Sequence, residues 1–242
     1  MATAACDTGL AERMQAKLHP LRVIDHSLTA CKSFSTFVSK TIVALPLQNG
    51  VSDKGARTLD VELLLVQRPD NGNTERDTVA ARLLLPELLV EDAHLRIQEL
   101  RLDMGRYVLA SGERAFGLRV LYRGDDPARP YSVETLRLFV VQGKAIRPVL
   151  DELVMQRDSG EWDLSCHGRF EELRTQLTTQ PPPARPAGAW AELLVRRSLV
   201  VRQMAVDENG QCAERAAAPR YTTVALKARD GRYPIPPSLR AP

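Results

Sequence analysis

Residues 94–104, HLRIQELRLDM, constrain the fold more than any other stretch of the chain. Apolar side chains alternate with polar ones, the alternation slips by one residue at Gln98-Glu99, and then it resumes. A helix would spread these apolar side chains over more than half of its circumference, whereas a strand needs only one inserted residue. We therefore predict a strand with a β-bulge at Gln98-Glu99.

The neighbouring stretches support a sheet around this strand. Between residues 57 and 141, apolar runs of about 6 to 10 residues are separated by turn signals, a rhythm typical of antiparallel sheets. A second slip of the alternation falls near Thr135, and two slipped strands in one sheet imply strong curvature. The pattern predicts a mainly β protein, an antiparallel β-sandwich or open barrel of roughly seven to nine strands.

Helical spacing occurs near the N-terminus and once after the sheet region. Residues 7–18 form an amphipathic pattern with Asp7 as a cap and Pro20 beyond its end. A second N-terminal helix is predicted from Asp25, although the Ser and Thr content leaves a strand open, on the helical spacing of Leu28, Cys31, Phe34 and Val38. A third helix is predicted near residues 146–156, because its apolar residues follow a period of three to four: Ile146, Val149, Leu150, Leu153 and Val154.

These patterns divide the chain into four segments. Residues 1–40 are predicted to be a helical segment, and residues 41–177 the β-sandwich core. Residues 178–188 contain the run QPPPARP and are predicted to be a Pro-rich linker, since proline cannot continue a helix or a central strand. Residues 189–242 are predicted to be a basic C-terminal hairpin with an extended tail.

Cysteine spacing and hydropathy indicate the compartment. The four cysteines contain no C-x-x-C pair, which argues against a disulfide framework and against a structural zinc site. No stretch reaches the roughly 18 continuous apolar residues that span a membrane, and no charged and apolar leader opens the sequence. The sequence therefore predicts an intracellular protein, cytoplasmic or nuclear, without a transmembrane segment.

Motifs of the large enzyme classes do not occur. The sequence has no G-x-S-x-G, P-loop, G-x-G-x-x-G or H-E-x-x-H, and no two of its four histidines stand at metal-ligand spacing. We predict no cofactor, no metal site and no catalytic residue. The alternative is a hydrolase-type enzyme whose site is assembled from distant loops around His167, with Asp163 or His94 as a further acid or base.

Basic residues concentrate in the C-terminal segment. The chain carries 33 basic and 30 acidic residues, so an affinity for anions requires a local patch. Arginine outnumbers lysine 27 to 6, and its planar guanidinium suits phosphate and carboxylate. We predict that a nucleic acid or another anionic partner contacts Arg196, Arg197, Arg202, Arg220, Lys227 and Arg229.

The function predicted from the sequence is that of a non-enzymatic structural or interaction module. A protein partner or a second copy of the chain is expected, with nucleic acid as one candidate for the anionic partner. Viral structural and accessory proteins share this fold class, as do subunits of large assemblies, and this analogy rests on fold class alone.

Overall fold

The computed structural model describes residues 6, 9–34, 40–51, 56–68, 76–110, 113–180 and 189–240. Within these ranges the chain is mostly β, with twelve strands joined in one mixed sheet, one α-helix and one short 3-10 helix at Pro237–Leu239. The predicted mainly β, sandwich-like fold is confirmed. In chain order the elements are α1 (Leu10–Leu18), β1 (Ala30–Ser33), β2 (Lys40–Val51), β3 (Arg57–Gln67), β4 (Thr78–Glu91), β5 (Leu95–Ala110), β6 (Glu113–Gly124), β7 (Tyr131–Gln142), β8 (Ala145–Trp162), β9 (Gly168–Gln180), β10 (Glu192–Val206), β11 (Cys212–Ala216) and β12 (Arg220–Leu226).

The strand order is β1-β2-β3-β4-β8-β7-β6-β5. Strand β8 then pairs with β9 over its second half, β9 pairs with β10, and β10 pairs with both β11 and β12. These pairs are antiparallel apart from the contact between β4 and β8, which is parallel at Arg82 and Ala145. Two meanders, β1 to β4 and β5 to β10, therefore meet at β4 and β8.

Apolar side chains form three clusters. The first fills the space between the two meanders and includes Phe116, which stacks on Phe139 with ring centroids 5.6 Å apart. The second lies on the other side of β6 to β8, where β10, β12 and the C-terminal tail cover it. The third joins α1 to β2 and β3 through Leu10 and Met14. Burial of these clusters is the main favourable contribution to folding.

The β-bulge predicted at Gln98-Glu99 is confirmed. In the pairing of β5 with β6, Ile97 lies opposite Tyr122 and Glu99 lies opposite Leu121, so that Gln98 has no partner. The inserted residue returns the apolar side chains that follow it to the core.

The helix predicted near residues 146–156 is wrong, because these residues belong to β8. The pairing with β7 shifts three times, so the apolar phase along β8 is reset every few residues and imitates a helical period. One shift lies between Glu134 and Thr135, near the predicted second slip, but its inserted residue is Met155 of β8 and not a residue of β7. Strand β8 is also buried on both faces, since Ile146 and Val154 belong to the first cluster and Val149 to the second, and this makes its apolar spacing more like that of a helix.

The N-terminal segment contains one of the two predicted helices. Helix α1 is present, while its predicted cap, Asp7, lies outside the described residues. The helix predicted from Asp25 is wrong: β1 pairs with β2, and Cys31 lies opposite Val43. Leu28 and Ala30 face the first cluster, so the spacing there arises from a turn followed by a short strand.

All four cysteines form disulfides, so the prediction that the chain has no disulfide framework is wrong. Cys6 is bonded to Cys31, and Cys166 is bonded to Cys212. The first bond ties the start of the chain to β1, and the second ties the β8–β9 turn to β11. Sequence separations of 25 and 46 residues leave no local motif by which either pair is recognised.

The C-terminal strands continue the sheet. Strand β10 pairs with β9 along thirteen residues, from Glu192 to Met204. The tail then crosses β8, where the amide of Tyr233 donates a hydrogen bond of 2.7 Å to the carbonyl of Val149. Residues 181–188 of the predicted linker lie outside the described residues, and the division of the chain into four segments stays a prediction.

Candidate anion-binding pocket

A cavity of about 490 Å3 lies between the second half of β8, strands β9, β10 and β12, and the end of the C-terminal tail. We call this cavity the arginine pocket, because four of its eleven described lining residues are arginines. The lining residues are Val154, Arg157, Leu173, Arg197, Leu199, Arg220, Thr222, Val224, Ser238, Leu239 and Arg240.

One row of directly opposed residues crosses four strands at the arginine pocket. Arg157 of β8 lies opposite Leu173 of β9, Leu173 lies opposite Leu199 of β10, and Leu199 lies opposite Arg220 of β12. Since neighbouring strands are about 4.8 Å apart, the two arginines of the row have Cα atoms about 14 Å apart. The row therefore presents two leucines between two cations.

Arg197 is held against the tail. It lies two residues before Leu199 on β10, so both side chains are on the same face of the sheet. Its Nη1 donates a hydrogen bond of 2.6 Å to the carbonyl of Ser238, and its Nη2 donates one of 2.8 Å to the carbonyl of Leu239. These bonds fix the guanidinium without neutralising its charge.

The environment of Arg197 disfavours the charged form of its guanidinium. Burial lowers the pKa of its guanidinium, and the positive charge of Arg157 lowers it further. The Nε atoms of both side chains are buried and have no hydrogen-bond partner among the described residues. An unpaired buried donor costs stability, and charges kept at such a cost are typical of functional sites.

The pocket has an uncompensated positive charge. None of its described lining residues is Asp or Glu, and no described carboxylate forms an ion pair with Arg197, Arg220 or Arg240. Among the described residues, one ion pair at the pocket joins Arg157 to Glu171 at 3.8 Å, and that carboxylate lies closer to Arg169, at 2.8 Å. A bound anion would supply the missing negative charge.

Two arginines of β5 and β6, Arg101 and Arg119, are neutralised by carboxylates. Arg119 donates hydrogen bonds to Asp103 at 2.7 Å and to Glu134 at 2.5 Å, and Arg101 donates to the same Glu134. Burial lowers the pKa of Arg119, but the bonds to the two carboxylates outweigh burial and the net pKa is raised. This network stabilises the sheet and leaves no free cation for a partner.

The six residues predicted to contact an anion are not all brought together. Arg197 and Arg220 line the arginine pocket. Arg196 is exposed on the opposite face of β10. Arg202 forms ion pairs of 3.0 Å with Glu172 and with Glu214, and Lys227 lies 3.6 Å from Glu192.

Arg229 lines a second cavity of about 630 Å3 on the other side of the tail, together with Arg137, Arg232 and Arg240. Two carboxylates, Asp151 and Glu152, also line this cavity, and both form ion pairs with Arg137. Its charge is therefore partly compensated. Because Arg240 lines both cavities, the second one extends the positive surface of the arginine pocket.

Arg157 and Arg240 are the pocket arginines absent from the predicted set. Arg157 was missed because residues 146–156 were interpreted as a helix, and with that interpretation Arg157 lies just beyond its end. A strand through residue 157 would have placed it beside the apolar residues of β9. Arg240 belongs to a tail whose position depends on contacts far along the chain, and no local signal predicts it.

The residues of the enzyme alternative lie on exposed turns. Nδ1 of His167 is 3.2 Å from Asp163 Oδ2, and both side chains are more than two-fifths exposed. The carboxyl of Asp163 accepts hydrogen bonds from the backbone amides of Ser165 and His167, which lower its pKa. Cys166 is bonded to Cys212, so no thiol is available beside this pair.

Comparison with protein-family models, with curated protein sequences and with solved structures gave no match to this chain. Among the described residues, no group of three or more His, Cys, Asp and Glu side chains is placed to hold a metal ion. No described helix has the length and apolar character needed to cross a bilayer.

Proposed function

We propose that this protein is a non-enzymatic binding module that holds an anionic partner in the arginine pocket. The observation that carries the proposal is the lining itself, which combines four arginines with no acidic residue among the described positions. Such a concave site strengthens electrostatic attraction, because its walls are of low dielectric and it focuses the field of its charges.

The pocket supports a single anionic group better than a nucleic acid strand. Its described lining contains no aromatic side chain on which a base could stack. Its cations converge on one cavity, whereas a track for successive phosphates requires cations spread along a surface. Nucleic acid, which the sequence suggested as a candidate, is therefore the alternative partner in the test below.

The compartment and the assembly also belong to this proposal. Two disulfide bonds are typical of an oxidising compartment, and we propose such a compartment in place of the cytoplasm or nucleus expected from the sequence. A structural role with a protein partner or a second copy, as in viral or other assemblies, stays a prediction based on fold class.

The test is calorimetric titration of the full chain with inorganic pyrophosphate at low ionic strength. The double variant Arg197→Gln/Arg220→Gln should bind about tenfold more weakly or worse, since a hydrogen bond to a charged group is worth about 1.5–3 kcal/mol. The matched control is Arg196→Gln/Arg215→Gln, which removes two exposed arginines from the same part of the chain and leaves the pocket intact.

Equal weakening in both double variants would show a general charge effect and would contradict the proposal. A parallel salt titration with a DNA duplex tests the alternative. Binding that falls steeply with salt, and that depends on Arg196 as strongly as on Arg197, would favour nucleic acid over a single anion.

A further inference from the structure

The arginine pocket is apolar below its cations. Val154 is 1% exposed, Leu239 2% and Leu173 8%, whereas Arg220 and Arg240 are exposed. The aliphatic side chains therefore form the bottom of the cavity, and the most exposed arginines are near its mouth. A small inorganic anion would use the arginines and leave this apolar surface unoccupied.

The apolar walls continue into the interior of the protein. Val154 and Leu173 belong to the cluster between the two meanders, and Leu239 belongs to the cluster under the tail. Leu199 and Val224 pack against these two clusters, one against each. The pocket thus opens at the junction of two cores, and an aliphatic chain bound there would be shielded from water on several sides.

Arg197 is the fixed donor of the site. Because the carbonyls of Ser238 and Leu239 hold its guanidinium, little side-chain entropy remains to be lost when an anion binds. The hydroxyl of Thr222, directly opposite Arg197 in the sheet, adds a polar group at the same level. The head group of a ligand would lie here, with its tail toward Val154 and Leu173.

We propose that the ligand is an amphipathic anion with one aliphatic chain and a carboxylate or phosphate head. This inference rests on the proposed function and adds the substrate class of the same pocket. The chain occupies the aliphatic bottom of the pocket, and the head contacts Arg197, Arg220 and the neighbouring arginines. A volume of about 490 Å3 lies within the range of about 300–1,000 Å3 that holds small organic ligands.

Two sources supply such a ligand, a free acid in solution and a lipid in a bilayer. The pocket is a cavity within one protein molecule, and its described lining comes from four strands and the tail. We therefore assign the free amphiphile as the ligand and use vesicles to test the other source.

The experiment measures the affinity of the full chain for alkyl carboxylates from butanoate to decanoate and for decyl phosphate, each used below the concentration at which it forms micelles. Each methylene that enters the pocket should tighten binding roughly fourfold, until the cavity is filled. Decyltrimethylammonium, which has the same chain and the opposite charge, should bind at least about tenfold more weakly than decanoate.

Two variants separate the head from the chain. Arg197→Gln/Arg220→Gln should weaken decanoate and pyrophosphate alike. Val224→Thr, which places a hydroxyl on the apolar wall, should weaken decanoate about fivefold or more and leave pyrophosphate unchanged. Val206→Thr, at an exposed position of β10, is the matched control. If Val224→Thr fails to fold, the chain-length series on the unaltered protein decides the question.

Affinity that does not change with chain length, with pyrophosphate still bound, would overturn this inference and leave the proposed function intact. If the unaltered protein bound neither pyrophosphate nor the alkyl anions, both the proposed function and this inference would be overturned. Equal binding of the alkylammonium ion would reduce the site to apolar contact and would also overturn it. Sedimentation with phosphatidylcholine vesicles, with and without phosphatidylglycerol, is the last arm: binding to the anionic vesicles without binding of decanoate would contradict a free ligand.

Discussion

The hydroxyl of Tyr233 donates a hydrogen bond of 2.6 Å to the carbonyl of Ala191, which directly precedes strand β10. The ring of the same tyrosine lies 5.8 Å from that of Trp190, and its backbone amide is bonded to Val149 of β8. Tyr233 therefore fastens the C-terminal tail to both β8 and β10. The tail carries Ser238, Leu239 and Arg240, which form one side of the arginine pocket.

Replacing Tyr233→Phe should lower the free energy of unfolding by about 1–3 kcal/mol, because the buried carbonyl of Ala191 loses its side-chain donor. We also expect weaker binding of pyrophosphate, since the tail carbonyls orient Arg197. Urea denaturation and calorimetry measure the two effects. Tyr221→Phe is the control, because Tyr221 is 77% exposed, and it should change the stability by no more than about 0.5 kcal/mol. Equal stabilities of the two variants would contradict the role of the tail.

The carboxyl of Asp103 should make the free energy of unfolding depend on pH in the acidic range. Burial raises the pKa of its carboxyl, but hydrogen bonds from Arg119 and Tyr107 and the charge of Arg119 outweigh burial and leave the pKa lowered. A lowered pKa contributes stability that is present above the unfolded value, about 3.9, and is lost as the pH falls through the folded value. The free energy of unfolding should therefore fall more steeply below pH 5 for the unaltered protein than for Asp103→Asn. Parallel curves would rule out this contribution.

Each disulfide should stabilise the fold by about 2–4 kcal/mol, because it restricts the unfolded chain. Urea denaturation of Cys6→Ser/Cys31→Ser and of Cys166→Ser/Cys212→Ser measures the two contributions separately. Alkylation of the unreduced protein should modify no cysteine, and alkylation after reduction and unfolding should modify all four. Alkylation before reduction would show that the pairing is incorrect.

Replacing Arg119 with glutamine should lower the free energy of unfolding much more than the same replacement of Arg220. Arg119→Gln leaves the partly buried carboxylate of Asp103 without its cation and should cost about 1–3 kcal/mol. Arg220→Gln removes an exposed cation with no described carboxylate partner and should change the stability by no more than about 0.5 kcal/mol. Thermal or urea unfolding compares them. A large loss of stability in Arg220→Gln would indicate a structural role and would weaken the assignment of this residue to a ligand.

The local pattern of apolar and polar residues predicted most of the sheet. It gave a wrong prediction at β8, where bulges and burial on both faces act together. The bulge at Gln98-Glu99 was predictable, because a single inserted residue leaves a clear phase shift between apolar positions. The helical spacing in β8 arises from repeated bulges together with burial on both faces, and one sequence cannot distinguish that combination from a helix.

The candidate site was predictable only in part. Arg197 and Arg220 stand out in a basic segment, but their separation from Arg202 depends on carboxylates of other strands, such as Glu172. The pairing of Cys166 with Cys212 likewise depends on contacts between distant parts of the chain. Long-range pairing of this kind is determined by the whole fold and leaves no local signal in a single sequence.

Strand β8 contributes side chains to two apolar clusters, Val154 to one and Leu153 to the other. If either half of the molecule detached, it would expose one face of this strand to water. We therefore expect the two halves to unfold in a single cooperative transition, with the same midpoint for every spectroscopic probe. An amphiphile bound at the edge of β8 would raise that common midpoint, and its occupancy could be followed from any part of the protein.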